Sequence, residues 1–227
     1  MRDKVVADVP AALEGIADGS TVLIGGFGLA GHPIALIDGL REQGARDLTI
    51  VSNNAGNGDT GLAALLKAGH VRKVVCSFPR QSDSYVFDGL YRAGAVELEV
   101  VPQGNLAERI RAGGAGIGGF FTPTGYGTIL AEGKETREID GRWYVLEAPI
   151  HGDVALIGGY LGDRLGNLVF RKTSRNFNPV MATAARMSIA QVDRVVQVGD
   201  LDAESIVTPG IYIDRVVAVG GRAWADR

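Results

Sequence analysis

The sequence has few of the features that mark secreted, membrane-embedded or nucleic-acid-binding proteins. It contains one cysteine, Cys76, among 227 residues, so no disulfide can form within the chain. Basic residues number 23 and acidic residues 26, which leaves no positive surplus to neutralise a nucleic-acid backbone. No apolar run reaches the length of a membrane span, and the first residues lack an apolar signal core. We therefore expect a cytoplasmic protein that binds neither nucleic acid nor membrane, with Cys76 as a buried, inert thiol.

Glycine, by contrast, is abundant, and the 33 glycines stand at the ends of periodic segments. Gly44, Gly69 and Gly94 each end a predicted helix, and they recur at equal intervals along the chain. An apolar strand follows each of them: Leu48–Val51, Val71–Cys76 and Val96–Val101. This cadence is typical of βαβ units. We predict one α/β domain over residues 1–227, with an open, mostly parallel sheet and helices on both faces.

The remaining periodic segments complete the predicted fold. Helices are predicted over Pro10–Ala17 and Pro33–Gln43, and a buried strand, Thr21–Ile24, lies between them. From Gly113 onward, glycine-rich turns and short strands indicate a mixed or antiparallel addition to the sheet. Its strands are Trp143–Leu146, Val154–Ile157 and Leu168–Phe170. A helix capped by Asn178 is predicted to run to about Ala190. Two last strands close the domain: Arg194–Val198 and Arg215–Val219.

The loop after the first strand matches the dinucleotide-binding pattern G-x-G-x-x-G over residues 26–31. That pattern also requires an acidic residue at the end of the second strand, where it holds a ribose. Here the second strand ends in Ser52, Asn53 and Asn54, and an asparagine amide lacks the charged acceptor. NAD binding is therefore discounted, which leaves a ligand-free turn or a cradle for a different ligand.

A longer signature runs through the same loop. Residues 18–33 contain an Asp-Gly pair, three consecutive apolar residues, Gly-Gly-Phe and finally Gly-His-Pro. In this order they resemble, position by position, the signature of the family I CoA-transferases. Four further segments resemble later loops of that family: residues 52–56, 102–111, 122–128 and 132–135. The resemblance extends from about residue 5 to 219, and residues 220–227 carry none.

The resemblance implies an enzyme that moves CoA between carboxylates in a ping-pong reaction, without a metal or a permanently bound cofactor. In similar enzymes the nucleophile is a glutamate in a Ser-Glu-Asn-Gly motif of a second chain, and the present chain lacks that motif. The resemblance therefore implies a hetero-oligomer in which this chain is the A subunit, a glutamate-bearing B subunit is its partner, and CoA esters are substrates. We expect Glu132 and Glu147 to be solvated or ion-paired surface groups.

The candidate site residues follow from the same resemblance. The glycine loop is expected to receive the CoA ester, because glycine lets backbone N–H groups approach a bulky anionic ligand. Its candidate binding residues are Gly25, Gly26, Phe27, Gly28, Leu29, Ala30 and Gly31. Gln103 is the candidate for the reacting centre, since an amide can donate to a thioester oxygen without competing as a nucleophile. Asn53 and Asn54 are candidates for its support, and all three amides have a competing role in closing turns.

The segment Cys76–Tyr85 is most similar to members of the family that use 3-oxoadipate rather than acetoacetate. Both 3-oxoadipate and succinate carry a second, distal carboxylate, so a site that serves both requires a cation. Arg80 is the candidate, with Gln81 and Ser82 as neutral donors, and the competing interpretation is that Arg80 is a solvated loop arginine or pairs with Asp83. We expect CoA to move from succinyl-CoA to 3-oxoadipate through a glutamyl-CoA thioester on the partner.

Three other functions stay open at this stage. The nearest is the same transfer to acetoacetate. A sugar-phosphate isomerase is more remote: related folds host that activity, but it needs a carboxylate base and a phosphate site that the sequence does not offer. The third is a non-catalytic nucleotide-binding module. The histidines, His32, His70 and His151, have the spacing of neither a metal site nor a catalytic triad, and His70 is expected to be exposed.

Overall fold

The structure is a computed structural model that describes residues 3–220, so the end of the chain without family resemblance lies outside it from residue 221 onward. The helices are α1 (Val9–Leu13), α2 (Ile34–Gln43), α3 (Leu62–Lys67), α4 (Tyr85–Arg92), α5 (Gln103–Gly114) and α6 (Asn178–Thr183). The strands of the first half are β1 (Thr21–Ile24), β2 (Leu48–Val51), β3 (Val71–Cys76) and β4 (Glu97–Val100). The later strands are β5 (Phe120–Thr122), β6 (Thr136–Ile139), β7 (Arg142–Glu147), β8 (Gly152–Gly158), β9 (Leu161–Asp163), β10 (Leu168–Val169), β11 (Ala185–Val192), β12 (Arg194–Val196) and β13 (Arg215–Ala218).

Seven strands form a parallel sheet in the order β13-β11-β8-β1-β2-β3-β4. The chain runs outward from β1 to β4 and later returns to place β8 on the other side of β1. The strand order therefore reverses between β1 and β8, and open α/β sheets bind ligands at the carboxyl ends of the strands that flank such a reversal. The predicted open, mostly parallel sheet is confirmed.

Helices cover both faces of this sheet, as predicted. Along β1 the fully buried side chains alternate, so Val22 and Ile24 pack on one face and Leu23 packs on the other. The first face is covered by α1 to α4, and the second by α5 and α6. Since each strand meets apolar side chains on both sides, the central strands are continuous apolar runs rather than alternating ones.

The glycine cadence marks the helix ends correctly. Gly44 follows α2 with a left-handed φ of 92°, and its N–H donates to Leu40 O at 3.3 Å. Gly69 and Gly94 follow α3 and α4 in the same conformation. A residue with a Cβ would be strained there, which is why glycine recurs at these positions.

Two predicted helices differ from the structure. The first helix ends at Leu13, short of the predicted Ala17. The helix predicted from Asn178, α6, ends at Thr183, and the segment predicted to continue it to Ala190 is instead β11. This strand pairs with both β8 and β13, so long-range pairing overrides the local helix preference of its alanine and methionine residues.

The predicted antiparallel addition is confirmed in part. Strands β5, β7 and β6 form an antiparallel sheet that contains Trp143–Leu146. The prediction was wrong for Val154–Ile157, which lies within β8 at the centre of the parallel sheet. A third small sheet joins β10, β9 and β12. Among the described residues, no helix combines the length and apolar character needed to span a bilayer.

Candidate functional site

Three loops meet at the carboxyl ends of β1, β2 and β3. The glycine loop, residues 25–31, follows β1, and Asn53 and Asn54 lie in the loop that follows β2. Asn54 Nδ2 donates to Gly28 O at 3.2 Å, which joins the first loop to the second. Phe78 N donates to Asn53 O at 3.0 Å, which joins the second loop to the third. The sheet therefore brings together segments that are far apart in the sequence.

A cavity of about 470 Å³ lies between the glycine loop, the first turn of α5 and the start of α6. It is lined by Phe27, Gln103, Gly104, Ala107, Asn176, Phe177 and Val180. Gln103 is exposed here, and its Nε2 donates to Asn53 Oδ1 at 3.2 Å. Two of the predicted amides are thus in contact at the rim of one cavity, beside the tip of the glycine loop.

The start of α5 adds electrostatic character to this cavity. Helix α5 runs for 12 residues from Gln103, directly after Pro102. The first N–H groups of a helix have no intrahelical acceptor and carry partial positive charge. Since Gln103 and Gly104 both line the cavity, this end of the helix favours a ligand oxygen that carries or develops negative charge.

Three asparagine side chains hold the glycine loop. Besides Asn54, Asn176 Nδ2 donates to Ala30 O at 3.0 Å and Asn178 Nδ2 donates to Gly31 O at 3.0 Å. Asn178 is fully buried, and its Oδ1 accepts from Gly158 N at 2.8 Å at the end of β8. The loop is therefore fixed to both strands that flank the reversal of strand order.

Sequence reasoning missed the role of Asn176 and Asn178. Asn178 was predicted as a helix cap, but Phe177 occupies the cap position and the Asn178 side chain reaches the glycine loop instead. The one available signal was two amides that flank Phe177 at the start of an apolar helix. A buried polar side chain in such a place requires hydrogen-bond partners, but the sequence does not say which.

Three glycines of the loop are required by packing within the protein. A Cβ added at Gly25 would lie 1.9 Å from Asn178 Oδ1, and one at Gly26 would lie 2.3 Å from His32 Cδ2. A Cβ at Gly31 would lie 2.6 Å from Ser174 O. Gly28 differs, because no described atom outside its immediate neighbours lies within 4 Å of such a Cβ. Of these four, Gly28 is the glycine that faces open space.

His32 lies beneath the loop and is buried at 6% exposure. Its ring packs against Gly26, and no described residue hydrogen-bonds its Nε2. Burial lowers the pKa of His32 from 6.5 to about 4, and a hydrogen bond with the Gly28 backbone only partly opposes this shift. The imidazole is therefore neutral in the folded protein at neutral pH and supports the loop as a packing group.

We expect His32 to make the fold acid-sensitive. In the unfolded chain its pKa returns to 6.5, so between pH 6.5 and about 4 only the unfolded state takes up the proton. Stability is unaffected by this group above pH 6.5 and falls as the pH decreases, by roughly 3 kcal/mol in total. Urea denaturation at pH 7 and pH 4 should show that this component is absent from His32→Gln. The exposed His151→Gln should keep the wild-type dependence; an equal pH dependence in His32→Gln would contradict the assignment.

Arg80, Gln81 and Ser82 lie in the loop after β3, outside the residues that line the cavity. Arg80 Nε donates to Asp88 Oδ1 at 2.8 Å, so its partner is Asp88 rather than Asp83. The Arg80 side chain is 58% exposed, and a surface pair of this kind contributes at most about 1 kcal/mol. The guanidinium is thus available to a ligand at a low energetic cost.

Several other sequence expectations have clear outcomes. Cys76 is buried as predicted, and burial raises its thiol pKa to about 12, so the thiol is inert. Glu132 is exposed as expected. The prediction was wrong for His70, which is buried with Nδ1 2.8 Å from Ala45 O. It was also wrong for the exposure of Glu147, which is 2% exposed, although this carboxylate is ion-paired with Lys134 at 2.8 Å.

The chain matches the family model described as coenzyme A transferase over residues 6–219. It is 70% identical to the A subunit of the 3-oxoadipate CoA-transferase of Pseudomonas putida, over 98% of this chain and 96% of that one. It is 53% identical to the A subunit of the succinyl-CoA:3-ketoacid coenzyme A transferase of Xanthomonas campestris, over 94% of this chain and 88% of that one.

The fold is also found among solved structures. The glutaconate coenzyme A-transferase of Acidaminococcus fermentans superposes with a TM-score of 0.86 at 19% identity, over 97% of this chain and 77% of that one. Together, the family match over most of the chain and the high identity to its relatives confirm the resemblance of the glycine signature. This chain belongs to the coenzyme A transferase family.

Proposed function

We propose that this chain is the A subunit of a hetero-oligomeric enzyme that moves CoA from succinyl-CoA to 3-oxoadipate and releases succinate. The identity of 70% to the A subunit of a 3-oxoadipate CoA-transferase supports 3-oxoadipate as the acceptor, and the identity of 53% to the A subunit of a succinyl-CoA:3-ketoacid coenzyme A transferase supports succinyl-CoA as the donor. The whole chain acts as one domain in this proposal. CoA esters are its substrates, and the glycine loop and the cavity beside it receive their reacting end.

The observation that carries the proposal is the chemistry of the cavity. Of the described residues that line it, none has a carboxylate, thiol, hydroxyl or imidazole, and its polar side chains are the amides of Gln103 and Asn176. Amides and backbone N–H groups can stabilise an oxyanion but cannot attack a thioester. This lining favours a nucleophile that a partner supplies, and the glutamate of a Ser-Glu-Asn-Gly motif on a B subunit fits this requirement.

In the first half-reaction, an oxygen of the partner glutamate attacks the thioester carbon of succinyl-CoA. The C–S bond breaks, CoA thiolate departs as the leaving group, and a succinyl-glutamyl anhydride is formed. The thiolate then attacks the glutamyl carbonyl of the anhydride, which releases succinate and leaves a glutamyl-CoA thioester. Gln103 and the first N–H groups of α5 stabilise the oxyanion that forms at each attack, because they are fixed in place beforehand.

The second half-reaction runs the same steps in reverse. A carboxylate oxygen of 3-oxoadipate attacks the glutamyl thioester and expels CoA thiolate. The thiolate attacks the 3-oxoadipyl carbonyl of the new anhydride, which forms 3-oxoadipyl-CoA and restores the glutamate. Because the CoA tail does not react, its binding energy is available to stabilise the transition states of both halves.

A second candidate acceptor is acetoacetate, favoured by the 53% identity to a chain of a succinyl-CoA:3-ketoacid transferase. The test is to purify this chain with its partner and measure kcat/KM for both acids with succinyl-CoA as donor. A preference for 3-oxoadipate supports the proposal, and a preference for acetoacetate replaces its acceptor. Absence of CoA transfer to either acid overturns it.

Gly28 should be needed at the site rather than for folding. Gly28 and Gly44 have left-handed φ angles of 61° and 92°, and neither would meet a described atom within 4 Å if it carried a Cβ. Gly28→Ala and Gly44→Ala should therefore carry a similar backbone strain, about 1 kcal/mol each. Only Gly28→Ala places a methyl group in the loop that is proposed to receive the CoA ester, and we expect it to raise the KM for succinyl-CoA roughly tenfold, or about 1.4 kcal/mol. Equal KM values for the two variants would refute this role.

Arg80 should bind the distal carboxylate of the acceptor. Arg80→Ala is expected to lower kcat/KM for 3-oxoadipate by roughly 1.5–3 kcal/mol, because a charge-assisted hydrogen bond is lost. Transfer to acetoacetate, which has no distal carboxylate, should fall much less. The matched control is Arg72→Ala, since Arg72 forms a similar exposed pair with Glu97 at the other end of β3.

Three outcomes distinguish the roles of Arg80. A loss confined to 3-oxoadipate supports carboxylate recognition. An equal loss with both acids assigns Arg80 to the common chemistry or to the fold. No loss with either acid means that the distal carboxylate is bound elsewhere, and the partner is then the next place to look.

A further inference from the structure

Glu147, the last residue of β7, buries a carboxylate beside three partner side chains, of which two donate hydrogen bonds to it and the third is an ion-pair partner. Lys134 Nζ lies 2.8 Å and Asn105 Nδ2 lies 3.2 Å from its Oε1. Arg109 Nε lies 3.7 Å from its Oε2. A buried charge is tolerated where it is both paired and hydrogen-bonded, and removing one partner leaves the others uncompensated. These four side chains therefore hold one another in a fixed arrangement.

Two of the three partners lie on α5, the helix that begins with Gln103. Asn105 and Arg109 are four residues apart, so they lie on the same face of its first two turns. Arg109 Nε also donates to Ala148 O at 2.8 Å, next to Glu147 in the chain. Both contacts fix the rotation and the axial position of α5, and with them the position from which the Gln103 side chain leaves the helix.

The arrangement is connected to the main sheet and to the antiparallel segment. Arg109 pairs with Glu99 of β4 at 3.1 Å, and Lys73 of β3 pairs with the same carboxylate at 2.6 Å. Burial raises the pKa of Glu99, but hydrogen bonds from Lys73 and Arg109 outweigh it and bring the pKa below its ordinary value. On the other side, Lys134 belongs to the loop between β5 and β6. Glu147 thus lies where the main sheet, the loop between β5 and β6, and the end of β7 meet α5.

We propose that Glu147 is a positioning residue for CoA transfer: it fixes α5 so that the Gln103 amide and the first N–H groups of the helix point at the reacting thioester. The inference rests on the proposed function, in which these groups stabilise the oxyanion. Among the described residues, Glu147 is not one of those that line the cavity, and its hydrogen-bond and ion-pair partners are Asn105, Lys134 and Arg109 rather than Gln103, so it acts through the helix. Displacements of about 1 Å in such a site can lower a rate by roughly two orders of magnitude.

The experiment uses the complex of this chain with its partner and a double-mutant cycle between Glu147→Gln and Gln103→Ala. We expect Glu147→Gln to lower kcat at least about tenfold and to leave the KM for succinyl-CoA within about twofold. In the Gln103→Ala background the same substitution should lower kcat by a smaller factor than in the wild-type chain, because the part of its effect that passes through the Gln103 amide is already lost and only the helix N–H groups remain to be displaced. If Glu147 had a purely structural role, the loss of kcat in the double variant would instead equal the product of the two single losses.

The control is Glu97→Gln, which removes a carboxylate from an exposed pair and should leave kcat unchanged. If Glu147→Gln does not give a folded complex, Lys134→Met replaces it. Lys134 is partly exposed, and its loss leaves Asn105 and Arg109 as partners of the carboxylate. We expect Lys134→Met to lower kcat roughly threefold and to be non-additive with Gln103→Ala in the same way.

The outcomes separate this inference from the proposed function. The inference is overturned, while the enzyme still transfers CoA, by either of two results. The first is a double variant whose loss of kcat equals the product of the two single losses, and the second is a wild-type kcat in both the Glu147 and Lys134 variants. A wild-type complex that transfers no CoA overturns the proposed function and the inference with it. Non-additive losses that spare KM support both.

Discussion

Purified without its partner, this chain will transfer no CoA from succinyl-CoA to 3-oxoadipate, and addition of the B subunit will restore turnover. The physical reason is that the described residues that line the cavity beside Gln103 offer amides and backbone donors but no nucleophile. The expected difference is the whole activity, which is the largest effect predicted here. Steady-state assays of the two chains, separate and mixed, measure it directly.

The covalent intermediate provides a second readout of the same result. After incubation of the complex with succinyl-CoA, borohydride should reduce a glutamyl thioester and change the mass of one peptide of the partner, not of this chain. Phe27, Leu29 and Phe78 are exposed on the loops around the site, so we expect the separate chain also to associate through them. Circular dichroism and gel filtration must therefore show that it is folded. Robust turnover by the folded chain alone would refute its proposed dependence on a partner.

Replacing Asn178 with leucine is expected to cause the largest loss of stability. The side chain is similar in size, but the substitution leaves three buried backbone groups without a partner: Gly31 O, Ser174 O and Gly158 N. Each unsatisfied buried group costs roughly 1–3 kcal/mol, so the free energy of unfolding should fall by about 3 kcal/mol or more. For a chain of this length, that corresponds to a decrease in Tm of about 10 °C.

Asn176→Leu is the matched control for Asn178→Leu. Asn176 also donates to the glycine loop, but it is only partly buried, so water can replace the lost bonds. Thermal unfolding of the two variant complexes should therefore differ clearly. A Tm for Asn178→Leu equal to that of Asn176→Leu would mean that the backbone groups find other partners.

The sheet was predictable wherever local signals agreed. The strands β1, β2 and β3 have the predicted bounds, because short β-branched apolar runs stand between glycines and helices of the right length. The strand β11 was not predictable in this way. Its residues suit a helix locally, and it becomes a strand only because β8 and β13 lie on either side of it.

Some residues of the candidate site could likewise be predicted from local signals, and others could not. Asn53, Asn54 and Gln103 could be selected from the sequence, since each follows a predicted strand and the carboxyl ends of parallel strands share one edge. The contact between Gln103 and Asn53 agrees with that placement, while their catalytic roles remain proposals. Asn178 and Glu147 could not be selected, because their importance arises from partners in segments that are distant in sequence.

The sequence by itself determined the α/β class, the parallel strands around the glycine loop and, through the length of the glycine signature, the family. These features depend on local periodicity and on backbone conformations that only glycine adopts easily. The tertiary structure alone decided which strand lies beside β1, which amides hold the loop and that Glu147 is buried. Burial and hydrogen-bond partners depend on which distant segments pack together, and no local pattern of residues encodes that choice.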